Sequence, residues 1–186
     1  MMTDDHSPPA FALPAALLSE SYRLRPENDN DTSFLMQLYA STREAELAQV
    51  PWTPEIKQAF LVDQFRAQRH HYRTYIDGCR FNVIEHDGQP IGRIYLDQRR
   101  TCIHVVDIAL LPSWRGRGIG TAIFQALQDW SRTRGLGVGI FVEKFSPALR
   151  FYRRLGFTDV ADQDIVIEME WWPDSAPSEA QFTTQV

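Results

Sequence analysis

A glycine- and arginine-rich run separates two patterned segments of this chain. An apolar, strand-like stretch enters the run at Leu110, and an amphipathic helical pattern leaves it at Thr121. The residues concerned are Gly116, Gly118 and Gly120 with Arg115 and Arg117. At such a junction the first N–H groups of the helix have no partner, and glycines let the backbone approach a ligand closely. The helix dipole and the arginines both favour anions, so the run predicts a phosphate-binding loop.

A second segment combines helix-boundary residues with a tyrosine. Ser146 suits an N-cap, Pro147 suits the first helical position, and Gly156 suits the position just past the helix end. On the predicted helix Tyr152 lies on the same face as Ala148. Tyr152 is therefore either a packed core residue or a positioned hydroxyl group that can donate a proton.

Two other glycine-rich motifs fit the run less well. A P-loop needs lysine and then serine or threonine after its last glycine, whereas Gly120 is followed by Thr121 and Ala122. A dinucleotide-binding fingerprint needs a third glycine where this chain has Ile123. Neither of these motifs is predicted.

The spacing Arg115-x-x-Gly118-x-Gly120 resembles the pyrophosphate-binding motif of the GCN5-related N-acetyltransferases (GNAT), which bind acetyl-CoA. The segment from Ser146 to Phe157 resembles the second motif of that family, with serine where asparagine is common. The order of the predicted elements extends the resemblance over residues 21–171.

The resemblance implies the GNAT fold, a mixed α/β (α+β) architecture whose mostly antiparallel sheet of about seven strands is flanked by helices. It implies transfer of an acetyl group from acetyl-CoA to a primary amine, without a metal, with Tyr152 protonating the departing thiolate. The residues implied to bind CoA are Ile108, Ala109, Leu110, Arg115, Gly116, Arg117, Gly118, Ile119, Gly120, Thr121 and Ser146. A non-catalytic acyl-CoA-binding regulatory module and an acyltransferase that uses another acyl-CoA remain alternatives.

The base that would accept the proton of the amine has two main candidates on one strand. His104 occupies the position where many family members have glutamate, and an unperturbed histidine titrates near ~6.5. Asp107 interrupts an otherwise apolar strand, where a carboxylate is costly unless it is paired or functional. Strict alternation puts the two on opposite faces, although a strand bulge would reorient Asp107. Glu44 and Glu46 are weaker candidates.

The acceptor site is expected on the N-terminal helices and loops. The residues considered there are Thr42, Glu44, Glu46, Trp52, Gln64 and His71. Their acidic members would suit a cationic amine, but solvated helix faces explain them equally well. The sequence leaves the acceptor unidentified.

Local patterns predict the elements that must position these residues. Strands are expected at 21–25, 81–85, 91–96, 102–111, 138–142, 157–160 and 165–170. The first helix is expected to begin after an N-cap among Asp29, Asn30 and Asp31 and to end at about Ala48, and the other helices are expected at about 54–71, 118–134 and 147–155. The expected inward stripes are Leu35, Tyr39, Thr42 and Glu46 on the first helix, and Phe60, Gln64 and Ala67 on the second. The resulting order, β-α-α-β-β-β-α-β-α-β-β, is the order of the family.

Length and composition indicate one globular domain. We expect a loosely ordered arm at residues 1–20, the domain at 21–172 and a disordered tail at 173–186. The net charge of -5 argues against nucleic acid as a partner, and no apolar stretch reaches membrane-spanning length. Cys79 and Cys102 lack metal-ligand or redox spacing, which favours reduced thiols in a cytoplasmic protein. A monomer and a homodimer both remain open.

Overall fold

The computed structural model describes residues 11–13, 17 and 20–174 of the chain. Its strands are Tyr22–Pro26 (β1), Cys79–His86 (β2), Gln89–Gln98 (β3), Cys102–Leu110 (β4), Gly137–Glu143 (β5), Thr158–Gln163 (β6) and Val166–Trp171 (β7). They form one seven-stranded sheet in the order β1-β2-β3-β4-β5-β7-β6. Neighbouring strands are antiparallel, except that β4 and β5 are parallel.

Four α-helices flank this sheet in the described part of the chain. They are Thr32–Ala48 (α1), Pro54–Tyr75 (α2), Ile119–Arg132 (α3) and Ala148–Arg154 (α4). The start of α2 follows from its sequence, since the Thr53 hydroxyl accepts a hydrogen bond from the Ile56 N–H and Pro54 occupies the first turn. The end of α4 is a Schellman motif: Gly156 has φ +86°, and Phe157 N–H donates to the Tyr152 carbonyl.

Each face of the sheet packs against helices. One face carries Ile94 and Val105, which are buried against Phe124 and Leu127 of α3 and Tyr152 of α4. A smaller cluster lies between α1 and α2, on the other face, and contains Leu35, Tyr39, Leu47, Leu61 and Phe65. The sheet is therefore the middle of three layers.

Strand β4 contains a β-bulge. Tyr95 of β3 pairs with Asp107, whereas the next residue, Leu96, pairs with Val105. Val106 is thus an extra residue without a partner on β3.

The bulge determines the face on which Asp107 lies. Asp97 pairs with His104 and Tyr95 pairs with Asp107, and residues two apart on a strand share a face. Asp107 and His104 therefore lie on the same face, the one covered by α1 and α2. The expectation from strict alternation is wrong, and the bulge is the reason.

The pairing between β4 and β5 stops where the bulge begins. It runs from the Cys102–Gly137 pair to the Val105–Ile140 pair, although β4 continues to Leu110 and β5 to Glu143. Beyond Val105, the backbone groups of β4 that point toward β5 have no partner in β5. The sheet is split at this point.

The predicted order of elements and the fold class are confirmed, and the strand bounds agree to within a few residues. The prediction for α2 is wrong in two respects: the helix continues to Tyr75, and Gln64 and Ala67 are exposed. Leu61 and Phe65 are buried instead. On α1, Thr42 and Glu46 are exposed too, and Leu38 and Leu47 are buried instead.

Parts of the predicted arm and tail lie outside the described residues. Within the arm, Leu13 and Leu17 are buried in the main core, and the Phe11 ring packs edge-on against Trp130.

No described helix is long and apolar enough to cross a membrane. Among the same residues there is no cluster of three or more side chains suited to hold a metal ion.

Candidate functional site

A cavity of about 960 Å³ opens where β4 and β5 separate. The residues that line it are Thr42, Ile108, Ala109, Leu110, Trp114, Arg115, Gly116, Gly118, Ile119, Gly120, Thr121, Phe124, Ser146, Pro147, Ala148, Phe151, Tyr152 and Arg154. The structure thus brings together in one cavity the end of β4, the glycine loop and α4. Among the eleven residues expected to bind CoA, only Arg117 does not line it.

The glycine loop forms the wall of the cavity at the start of α3. Gly116 and Gly118 have φ values of +71° and +81°, a region that favours glycine. Gly118 is the N-cap of α3 and no side chain caps the helix start. The free N–H groups of the first turn therefore remain available to an anion.

The end of β4 forms a second wall. Ile108, Ala109 and Leu110 lie beyond the last residue paired with β5. On the other side, β3 approaches this segment so closely that a Cβ on Gly92 would lie 2.4 Å from the Ala109 carbonyl oxygen. The segment is fixed by β3 on one edge and free on the edge that faces the cavity.

The two loop arginines have different surroundings. Arg115 donates through Nε to the Leu110 carbonyl at 2.8 Å and through Nη2 to the Ser41 hydroxyl at 3.2 Å. Arg117 stacks on the Trp114 ring, with its guanidinium carbon 4.8 Å from the ring centroid, and lies on the other side of the loop. The predicted contact from Arg117 to CoA is therefore not supported by the cavity geometry.

Helix α4 places Tyr152 against the cavity. Its ring is packed edge-on between Phe124, Phe151 and Phe157, and only 6% of the residue is exposed. Burial, and secondarily the charge of Asp107, raises the pKa of Tyr152 well above its ordinary value. The phenol therefore stays protonated at neutral pH.

Ser146 precedes α4 and also lines the cavity. Its hydroxyl accepts a hydrogen bond from the Ala148 N–H at 3.2 Å, although α4 begins one residue later than predicted, with Pro147 at the N-cap position. The side chain is thus already used to start the helix. Its backbone remains next to the cavity.

Asp107 belongs to a buried polar cluster between the sheet and α2. Its Oδ2 accepts hydrogen bonds from Arg93 Nη2 at 2.7 Å and from the Tyr72 hydroxyl at 3.3 Å. Arg93 also donates to Gln68 at 3.0 Å, and its side chain is only 4% exposed. Both contacts to the carboxylate use Oδ2, which leaves Oδ1 for another partner.

Arg93 was not among the site residues predicted from the sequence. The signal was present, because Arg93 interrupts the apolar pattern of β3 as Asp107 interrupts that of β4. A charge in an apolar strand is costly unless it is paired, and here each of the two charges is the partner of the other.

His104 lies outside the cavity lining. Its ring packs on Phe141 with centroids 4.9 Å apart, and the residue is buried. Burial, together with the nearby charge of Arg99, lowers the pKa of His104 to about 4. His104 is therefore neutral at neutral pH and a weak proton acceptor, which disfavours it as the base.

The residues expected to contact the acceptor are not part of the cavity wall, except Thr42. Glu44 is exposed, and Glu46 forms an ion pair with Arg43 on its own helix. Trp52 packs edge-on against Phe60 and is 42% exposed. Gln64 and His71 are also exposed, so the structure gives these side chains no common site.

Comparison with known proteins bears on the same region. The model of the Acetyltransferase (GNAT) family matches residues 34–157, which is more than half of the chain. The chain belongs to the GNAT family. The match extends from α1 to the end of the Tyr152 helix and includes the whole glycine loop.

Two relatives illustrate the similarity of this GNAT chain at the sequence level. An N-alpha-acetyltransferase of Sulfurisphaera tokodaii is 35% identical over 105 residues, which cover 48% of this chain and 62% of the relative. An uncharacterized N-acetyltransferase of Methanocaldococcus jannaschii is 33% identical over 91 residues, with 42% and 39% covered. The chain thus spans only part of the length of these relatives.

Solved structures show the same GNAT fold. The PaiA N-acetyltransferase of Thermoplasma acidophilum, in complex with coenzyme A, gives a TM-score of 0.62 at 16% identity, covering 82% of this chain and 99% of that one. A chimera of the Vibrio cholerae spermidine N-acetyltransferase SpeG gives 0.56 at 18% identity, with 82% and 95% covered. At such identities the likeness concerns the fold.

Proposed function

We propose that this protein transfers an acetyl group from acetyl-CoA to a primary amine. The observation that carries the proposal is the single cavity in which the glycine loop, the unpaired end of β4 and the Tyr152 helix meet. These are the parts that thioester transfer needs: an anion site, backbone groups that orient a chain of amides, and a proton donor.

The cavity supplies the donor site. The first turn of α3, beginning after Gly118, offers backbone N–H groups to the pyrophosphate, and Arg154 adds a positive charge at the wall. The free edge of Ile108, Ala109 and Leu110 offers N–H and C=O groups to the pantetheine amides. Fixed donors near the thioester oxygen would also stabilise the oxyanion that forms on attack.

Two side chains handle protons on either side of the split. The amine nitrogen attacks the thioester carbon, the C–S bond breaks, and the sulfur takes the proton held by the Tyr152 hydroxyl. Asp107 precedes the lining residue Ile108 and is not itself part of the cavity lining, so the proton lost by the amine passes through water to Asp107 Oδ1, since Oδ2 is held by Arg93 and Tyr72. A carboxylate in this position also attracts the cationic form of the acceptor.

The acceptor is best identified by experiment, because relatives of similar identity carry names of different acceptors. The Trypanosoma brucei glucosamine 6-phosphate N-acetyltransferase is 31% identical over 80 residues, and covers 37% of this chain and 54% of that protein. We therefore propose a panel that includes a polyamine, an amino sugar phosphate and peptides with a free N-terminus.

The assay measures free thiol released from acetyl-CoA, and mass spectrometry detects acetylated product. We expect product with at least one amine, and loss of at least 100-fold in the Tyr152→Phe, Asp107→Asn double variant. Acetyl-CoA binding without turnover on any amine would instead indicate a regulatory binding module. Faster turnover with a longer acyl-CoA would identify a different acyl donor.

A further inference from the structure

A groove of about 620 Å³ lies between the two N-terminal helices. It runs between Thr32, Ser33 and Met36 of α1 and the stretch of α2 from Val62 to Arg73. We call it the α1–α2 groove. Its floor is apolar and consists of Met36, Val62 and the buried Phe65. Its volume is that of a site for a small organic molecule.

The rim of the α1–α2 groove is basic. From residue 64 to residue 75 the helix contains three arginines and two histidines and no acidic residue, although the chain as a whole has a net charge of -5. No carboxylate lines the groove. This concentration of one sign of charge creates a positive potential over an apolar floor.

The three arginines of the rim are only partly neutralised. Arg69 and Arg73 share one carboxylate, Glu27, at 3.0 and 2.6 Å. Arg66 is exposed and forms no ion pair within the described residues. Arg66 is thus the rim arginine that has no carboxylate partner among the described residues, and it is free to bind another anion.

We propose that the α1–α2 groove binds an amphipathic organic anion, an aliphatic body with one carboxylate head. The body covers Met36 and Val62, and the head accepts hydrogen bonds from Arg66 and His70. A cation of the same shape is repelled by the rim, and a neutral ligand leaves the Arg66 guanidinium without an anionic partner. Charge complementarity therefore selects the anion.

This site is separate from the acetyl-CoA cavity. The two cavities share no lining residue. Gln68 and Tyr72 point from α2 toward Arg93 and Asp107, whereas Arg66 and His70, each two residues away, lie about 200° around the helix. The body of α2 stands between the groove and Asp107, so both ligands can bind at once.

Calorimetry with three ten-carbon probes tests the proposal. Decanoate, decanol and decyltrimethylammonium are titrated below their micelle concentrations, with and without saturating CoA. We expect one decanoate per chain in both conditions, and at least about tenfold weaker binding of the other two probes.

Variants locate the site. Arg66→Gln removes an exposed donor and is expected to weaken decanoate binding about tenfold. Val62→Asp places a carboxylate on the floor and is expected to abolish binding. Arg100→Gln, which removes an exposed arginine between β3 and β4, is the matched control and is expected to change nothing.

Several results would overturn the proposal. Displacement of decanoate by CoA would place decanoate in the acetyl-CoA cavity. Equal affinity for the cationic probe would show that the basic rim does not select anions over cations. Equal affinities of the Arg66→Gln and Arg100→Gln variants would remove Arg66 from the site. Since Arg66 is exposed, its variant keeps the test valid even if Val62→Asp fails to fold.

Discussion

At the scale of single residues, Tyr152 combines a buried ring with a hydroxyl at the cavity wall. Tyr152→Phe keeps the ring and removes the proton donor, so we expect turnover to fall ~10- to 1000-fold while acetyl-CoA affinity stays within a few fold. Steady-state kinetics and calorimetry measure the two quantities. Tyr75→Phe, at a residue that is 70% exposed, is the control. Full turnover in the Tyr152 variant would make Tyr152 a packing residue.

The ion pair between Arg93 and Asp107 leads to a second prediction about single residues. If Arg93 acts by positioning Asp107, Arg93→Met lowers turnover about 10- to 100-fold in the parent but has no further effect in the Asp107→Asn variant. The four proteins form a double-mutant cycle, with CoA binding as the check on folding. Losses that multiply instead of overlapping would mean that Arg93 acts independently of Asp107.

Arg99→Met is the matched control for this cycle. It also removes the arginine of a hydrogen-bonded arginine–aspartate pair, with Arg99 Nε 2.8 Å from Asp97 Oδ2. That pair lies near the turn between β3 and β4, outside the cavity lining. We expect turnover of this variant to equal that of the parent.

His104 makes a prediction about stability and pH. Its pKa is about 4 in the folded protein and ~6.5 when unfolded, so between these values the unfolded chain binds more protons. The free energy of unfolding therefore falls as the pH drops from about 6.5 toward 4, by up to ~3 kcal/mol from this group. Urea unfolding at pH 7 and pH 4.5 should show a smaller loss for His104→Gln. Equal losses would contradict the assignment.

At the scale of elements, the junction between β4 and α3 can be tested with two glycines. Gly118 and Gly135 both have positive φ, at +81° and +65°, and a Cβ on either would meet no atom within 4 Å. Alanine should therefore strain each backbone by a similar ~1–2 kcal/mol. Gly118 lines the cavity and Gly135 does not, so we expect Gly118→Ala to weaken CoA binding at least tenfold while Gly135→Ala leaves it unchanged. Calorimetry with CoA compares them, and equal affinities would remove the loop from the CoA site.

The order of strands and helices was predictable because each carries its own local pattern. The buried stripe of α2 was not, since the residues that face the sheet there include Gln68 and Tyr72, whose partners lie far away along the chain. Polar residues on an inward face weaken the apolar period that identifies it. The cavity residues from the glycine loop and α4 were predictable, because glycines and helix-capping residues indicate turns and helix ends from the neighbouring sequence alone.

The side-chain contacts of the site were harder to predict. The identity of the partner of Asp107 depends on the pairing of β3 with β4 and on the packing of α2, which no local pattern specifies. The same holds for Arg115 and Arg117: spacing places both in the loop, but only tertiary contacts direct one to Ser41 and the other to the Trp114 ring.

At the scale of the whole molecule, the main core extends to the segment before β1. Leu17 is 7% exposed and packs in the same cluster as residues of α3. Leu17→Ala is expected to lower the free energy of unfolding by about 2–4 kcal/mol, measured by urea unfolding. Ile165→Ala, at a residue 77% exposed, should change it by less than about 0.5 kcal/mol. A loss below about 1 kcal/mol for the Leu17 variant would show that this segment is dispensable to the core.

Because of the bulge at Val106, the alternation of side chains between the two faces of the sheet is offset by one residue between the two halves of β4. In residues 102–105 the even-numbered side chains lie on the face covered by α1 and α2, whereas in residues 107–110 the odd-numbered side chains do. Val106 is only half-buried, so we expect a smaller side chain at this position to leave the fold unchanged. Loss of the residue itself would make Val105 and Asp107 neighbours opposite Leu96 and Tyr95, so alternation would be uninterrupted and Asp107 would stay on the face covered by α1 and α2. The extra residue is therefore not needed to aim Asp107; what it changes is the path of the β4 backbone beside β5, where the pairing of the two strands ends at Val105.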